Sequence, residues 1–187
     1  MNSKKELRPK IRALRYALPK EERASRSAVV CGRVMEHAAF AAANAIHCFM
    51  PMIDEVDVRG IMAGALAAGE RVMAPLFVKG SRLTDAYWVR TLDPAEYKRG
   101  DWGLAVPRDL ELAVLSEADL VVVPLLGFAP RADGKFDRLG NGIAYYDTLL
   151  TRLRPDAYKL GVAFSFQQCE PWLTDPHDVP LDEVIYA

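Results

Sequence analysis

Leu120-Val-Val-Val-Pro124-Leu-Leu126, followed by Gly127-Phe-Ala-Pro-Arg131-Ala-Asp-Gly-Lys-Phe136-Asp-Arg138-Leu-Gly140-Asn-Gly142-Ile-Ala-Tyr145-Tyr146-Asp147, decides the fold. The first seven residues form an uninterrupted apolar run, the pattern of a strand buried on both faces, over Asp119–Leu126. A loop rich in Gly, Asp and Arg follows, and a helix is expected over Gly140–Arg154. In open α/β sheets, ligands bind beyond the carboxyl ends of such strands. Glycines at the entrance of a helix let main-chain N–H groups face an anion. Arg138 can add a planar donor fork for phosphate, and Asp147 can take a hard cation. The spacing is neither a Walker A loop nor a dinucleotide fingerprint. It fits an anion loop, or a turn with Gly140 and Gly142 at positive φ and the tyrosines packing the helix on the sheet.

Outward from this stretch, strands and helices alternate. Toward the N-terminus, Ser3 and Glu6 have capping-box spacing, and Leu7, Ile11, Leu14 and Leu18 form an apolar stripe beside Lys4, Arg8, Arg12 and Arg15. Pro9 interrupts this pattern, so a short first turn followed by the helix proper is expected. A second helix is predicted from Pro19 to Ala42, a strand over Ala45–Pro51, a helix over Asp57–Gly69, and strands over Arg71–Pro75 and Leu83–Arg90. Asp109–Ala118 reads as a short helix, and Lys159–Phe164 and Val184–Tyr186 read as the last strands. The expected class is α/β, with a largely parallel central sheet and one domain over residues 1–187.

Composition agrees. The 187 residues are 51% apolar, which excludes a disordered chain and supplies one core. No apolar run reaches the roughly 18 residues of a membrane span, and no secretory leader is visible. Cys31, Cys48 and Cys169 are odd in number and form no C-x-x-C pair, which suits reduced thiols in a cytoplasmic protein. The net charge of −1 conceals a +6 balance over residues 1–26 and −7 over the rest. Such a charge run is usually a solvated helix face, but it also suits a local anion site. His37, His47 and His177 lack metal-ligand spacing.

Together with four other regions, the stretch resembles the 5-formyltetrahydrofolate cyclo-ligase (5,10-methenyltetrahydrofolate synthetase) family. The regions are Lys4-Lys-Glu-Leu-Arg8, Met52-Ile-Asp54-Glu55-Val56-Asp57, Trp102 with Pro107, and Gly161-Val-Ala-Phe-Ser165-Phe-Gln167 with His177-Asp178-Val-Pro-Leu-Asp182-Glu-Val184. They run in the family's order along nearly the whole chain. The resemblance implies a three-layer α/β domain of the ribose-5-phosphate isomerase and CoA-transferase type. It also implies ATP- and Mg²⁺-dependent conversion of 5-formyltetrahydrofolate to 5,10-methenyltetrahydrofolate, with no nucleic-acid or membrane partner and a monomer or weak dimer. By the same resemblance, ATP would be bound by Lys4, Arg8, Arg138, Leu139, Gly140, Asn141, Gly142, Ile143, Ala144, Tyr145, Tyr146 and Asp147. The folate would meet Met50, Glu55, Trp102 and Tyr146. Arg138 and Tyr146 would be catalytic, and Asp147 would hold the metal.

The sequence also departs from the family pattern. Ala144 stands for the third glycine of the phosphate loop, Ile143 for a Gly or Lys, Asn141 for an Arg seen in some members, Thr148 for a common Arg, and Leu173 for a Pro. The Ala129–Asp137 segment looks longer than usual. If position 144 needs positive φ, its Cβ costs about 1 kcal/mol or more. These changes leave open a member that binds nucleotide or folate without turnover. A nucleic-acid module using the basic N-terminal segment is a further alternative, although only Tyr16 interleaves that segment as an aromatic.

Overall fold

The structure is a computed structural model that describes residues 3–78, 85–172 and 174–187, with the side chain of Trp102 also outside the described set. The N-terminal helix α1 (Lys4–Ala17) carries the expected capping box: Ser3 Oγ accepts from the Glu6 N–H, and Glu6 Oε2 accepts from the Ser3 N–H at 2.9 Å. It runs unbroken through Pro9, without the separate first turn expected there. An interior proline costs about 3 kcal/mol. Here α1 is held by packing on other elements, which offsets such a cost. Its buried row is Leu7, Ile11 and Arg15; Leu14, expected in the stripe, is 51% exposed.

α2 (Lys20–Met35) stops short of Ala42, and α3 (Ala38–Ala41) follows as one turn. The break lies at His37, whose Nδ1 accepts from the Ala39 N–H at 3.1 Å while Nε2 meets Glu183 at 3.1 Å. A local side-chain cap of this kind competes with continuation of the helix. β1 (Ala45–His47), α4 (Arg59–Ala67), β2 (Arg71–Leu76) and β3 (Asp85–Val89) follow; the start of the predicted Leu83–Arg90 strand lies outside the described residues. β4 (Tyr97–Arg99) and β5 (Ala105–Pro107) form a hairpin that the sequence reading missed. β6 (Leu112–Ala113) and a 3₁₀ turn replace the helix expected over Asp109–Ala118, because Leu112 and Ala113 pair with Tyr87 and Ala86 on the edge of β3. Tertiary pairing overrides local propensity there.

After β7 (Leu120–Pro124), the supposed long loop is an antiparallel hairpin, β8 (Gly127–Pro130) and β9 (Phe136–Leu139). α5 is confined to Tyr145–Thr151, since Gly142 (φ 95°) and Ala144 (φ 53°) are left-handed and the segment before Tyr145 is loop. β10 (Tyr158–Ala163) and β11 (Glu183–Tyr186) complete the chain.

The main sheet of the described residues has the order β11-β10-β7-β1-β2-β3-β6. From β11 to β2 every pairing is parallel, and β3 and β6 add antiparallel. The α/β class with a mainly parallel sheet is therefore as expected. Leu120, Val121, Val122 and Val123 are completely buried in the middle, each contributing about 1.5–3 kcal/mol by burial. The connection from β1 through α4 to β2 and the one from β7 through α5 to β10 run in opposite directions. With right-handed crossovers their helices lie on opposite faces, and a crevice opens between the ends of β1 and β7.

Gly161 on β10 is a packing requirement. A Cβ there would lie 2.6 Å from Leu181 and 2.9 Å from Leu125. Gly161→Ala is expected to destabilise the fold by about 1–3 kcal/mol, read as a lower midpoint in urea without a change of slope.

Candidate active site

At that crevice lies a cleft of about 720 Å³, within the range of small-molecule sites. β1 leads into its wall through Phe49 and Met50, β2 through Pro75, and β7 through Pro124, Leu125 and Leu126. The remaining wall comes from α1, from the loop at Gly140–Ala144 and from the start of α5. Lys4, Arg8, Met50, Glu55, Arg138, Leu139, Gly140, Asn141, Gly142, Ile143, Ala144, Tyr145, Tyr146 and Asp147 all line it. Trp102, the remaining residue expected at the site, has its side chain outside the described residues. Leu173 also lies outside them.

Arg138 sits at the end of β9 with its side chain 5% exposed. Its guanidinium donates to Asp147 Oδ1 at 2.5 Å, and its centre lies 5.8 Å from the Tyr146 ring centroid, a cation–π approach. Gly140 makes this placement possible, since a Cβ there would come within 2.7 Å of the guanidinium. Arg8 Nε donates to the Gly140 carbonyl at 3.0 Å, and Arg12 reaches Asn141 Oδ1 at 3.3 Å. Lys4 is paired with Asp175 at 2.7 Å and Asp178 at 2.5 Å. Burial opposes its charge, but the two carboxylates outweigh this and raise its pKa. The N-terminal cations thus meet this chain's own groups instead of forming an outward stripe.

Asp175, His177 and Asp178 bring their ligand atoms within 4.8 Å of one another, a grouping the sequence spacing does not reveal. The Lys4 ammonium bonds both of its carboxylates, so the cluster serves as the counter-charge of that lysine.

The two tyrosines divide. Tyr145 donates to the Asp85 carbonyl at 3.3 Å and packs its ring on Phe77 at 4.2 Å. Tyr146 is 7% exposed, and its hydroxyl has no hydrogen-bond partner among the described residues. Burial pushes its pKa well up, so it stays a donor. His47 stands edge-on to it at 6.2 Å, fully buried, with its pKa pushed down to about 4 by burial and its ring neutral.

Glu55 follows β1 in a tight turn in which its Oε2 accepts from the Met52 N–H at 3.0 Å. Burial raises its pKa, while that N–H and Arg15 pull it back. Arg15 is 2% exposed and pairs with the buried Asp54. Sequence reasoning missed this residue, although its place in the i, i+4 row of Leu7 and Ile11 was the signal.

The chain is matched along its whole length, residues 1–187, by the model of the 5-formyltetrahydrofolate cyclo-ligase family. It belongs to that family. The 5-formyltetrahydrofolate cyclo-ligase of Mus musculus is 30% identical, over 99% of this chain and 94% of the relative. Among solved structures, the 5,10-methenyltetrahydrofolate synthetase of Aquifex aeolicus is similar with a TM-score of 0.81 and 29% identity, covering 98% of this chain and 89% of that one. The synthetase of Mycoplasma pneumoniae, at 24% identity and a TM-score of 0.75 over 98% of both chains, agrees in fold.

Within this cyclo-ligase family member, Ala144 is the non-glycine described residue with positive φ. A left-handed Ala costs roughly 1–2 kcal/mol, and a glycine returns part of that gain as chain entropy. Ala144→Gly is expected to raise stability by about 0.5–1 kcal/mol, and Ala144→Val, with a branched Cβ, to lower it. Thermal melts of the two variants check the sign.

Proposed function

We propose that this protein converts 5-formyltetrahydrofolate and ATP to 5,10-methenyltetrahydrofolate, ADP and phosphate. The observation that carries this reading is one cleft lined both by cations suited to polyphosphate, Lys4, Arg8 and Arg138, and by a buried carboxylate, Glu55. The N5-formyl group is an amide, and its oxygen is a poor leaving group. Attack of that oxygen on the γ-phosphorus, with loss of ADP, makes it a good one. The N10 lone pair then attacks the formyl carbon, the C–O bond breaks with departure of phosphate, and the N10 proton is lost. Holding N10 beside the activated carbon supplies the advantage of proximity.

In this reading the loop of Gly140, Asn141, Gly142, Ile143 and Ala144, with Leu139 before it, cradles the phosphates, and Lys4 and Arg8 neutralise them. Arg138 stabilises the charge that develops on the transferring group. Glu55 accepts two N–H bonds from the amino-pyrimidine edge of the pterin. The Tyr146 hydroxyl donates toward the substrate, with Met50 as an apolar wall; the family resemblance adds Trp102 as a folate contact, its side chain lying outside the described residues. Asp147 presents a hard carboxylate oxygen at the cleft with Oδ1 engaged by Arg138, a donor type that would hold Mg²⁺. When bound, that ion would neutralise phosphate charge.

A parallel sheet core with antiparallel edge strands supports the finer likeness to the ribose-5-phosphate isomerase and CoA-transferase type, as one domain over the whole chain. The three free cysteines suit a reducing cytoplasm. The described helices include none long and apolar enough to cross a membrane.

The test is the absorbance of methenyl-folate formed from 5-formyltetrahydrofolate, with and without ATP. ATP-dependent product is expected. Absence of product at high enzyme concentration overturns the reading. Binding of ATP or folate without product would favour the non-turnover alternative, motivated by the strained Ala144 and by Ile143, 75% exposed on the cleft wall.

A further inference from the structure

Behind the cleft, one cation serves two carboxylates. Asp54 and Glu55 are adjacent and 5% and 8% exposed, and Arg15 at 2% is the charged partner of both. Its Nη2 bonds Asp54 closely and stands 3.7 Å from Glu55 Oε1, while Nη1 donates to the Leu125 carbonyl at 3.4 Å. Glu55 lines the cleft; Arg15 and Asp54 do not. The three formal charges sum to −1 in a buried setting, where two adjacent carboxylates share one guanidinium and burial disfavours the charge on Glu55.

We infer that Arg15 is a positioning residue that keeps Glu55 ionised and aimed into the cleft, and that Asp54 competes with Glu55 for it. The functional part rests on the proposed role of Glu55 toward the pterin. A carboxylate accepts two N–H bonds at once; a protonated carboxyl offers one acceptor and one donor and mismatches that edge. Among the described residues, the other groups that act on Glu55 are the Met52 N–H from its own turn and, through electrostatic interaction, Tyr146 from α5. The nearby Gln167 side chain is spent on the Leu125 and Leu126 carbonyls and on the Phe164 N–H. Among the described residues, Arg15 is the cation paired with Glu55, and its withdrawal has a defined sign.

The experiment is a carbon-13 carboxyl NMR titration of Glu55 in the full chain. The resonance is assigned by its loss in Glu55→Gln, and binding of 5-formyltetrahydrofolate without ATP is measured across the same pH range. Arg15→Met should move the Glu55 titration up by about one pH unit or more, and Asp54→Asn should move it down by roughly one. Arg15→Lys, which keeps the charge, should stay within about half a unit of wild type. Folate binding, present above the Glu55 pKa and lost as pH falls through it, should follow these shifts. A merely structural pair would weaken both variants alike. Shifts in the same direction, or none, overturn the inference. Should Arg15→Met fail to fold, the downward shift in Asp54→Asn and the retained titration in Arg15→Lys still decide it. Unchanged folate binding by Glu55→Gln would instead refute the proposed role of Glu55, with the carboxyl shifts still read independently.

Discussion

Arg138→Ala is expected to lower kcat/KM for methenyl-folate formation by about a thousandfold or more, the scale seen when a cation serving a transferring phosphoryl group is lost. The guanidinium bonds Asp147, lies against the Tyr146 ring and fills the space that Gly140 leaves open. Truncation removes all three contacts and leaves Asp147 without its close cation, so ATP binding should weaken with turnover. Arg138→Lys should recover only a small part, because an ammonium cannot reproduce the planar fork. Steady-state rates at saturating folate and varied ATP, beside a thermal melt, separate lost chemistry from lost fold. A variant within about tenfold of wild type would remove Arg138 from the proposed chemistry.

Glu55→Gln should show the opposite division between activity and stability. The amide keeps the shape but offers one acceptor where the pterin edge needs two. With charged hydrogen bonds contributing about 1.5–3 kcal/mol each, the KM for 5-formyltetrahydrofolate should rise roughly 10- to 100-fold. ATP dependence should change little. Stability should hold or rise, because a carboxylate whose pKa burial already raises is replaced by a neutral group. A folate KM unchanged from wild type would remove Glu55 from the substrate contacts.

Much of the site was legible because it is written in contiguous residues. Arg138, Gly140 and Gly142 follow a strand whose apolar run is unmistakable, and the strain at Ala144 follows from one missing glycine. What escaped is what depends on distant partners. Arg15 reads as one more surface cation until Asp54 is brought beneath it, and His177 gains neighbours only when its loop folds back on Lys4. The β8–β9 hairpin was hidden because Arg131-Ala-Asp-Gly-Lys135 looks like open loop, whereas its ends are joined by paired strands. The short β6 was hidden because pairing with β3, not its own pattern, makes it a strand.

α1 also constrains how the gene can vary. Lys4, Arg8, Arg12 and Arg15 meet groups in three separate segments, at Asp175–Asp178, Gly140–Asn141 and Asp54. One residue inserted within the helix would turn everything beyond it by about 100°, unseating several of these docking points together. Natural or engineered length variation should therefore be purged from this helix while single substitutions on its outer side pass, a bias that a deletion-and-insertion scan of the gene would register as a narrow intolerant window.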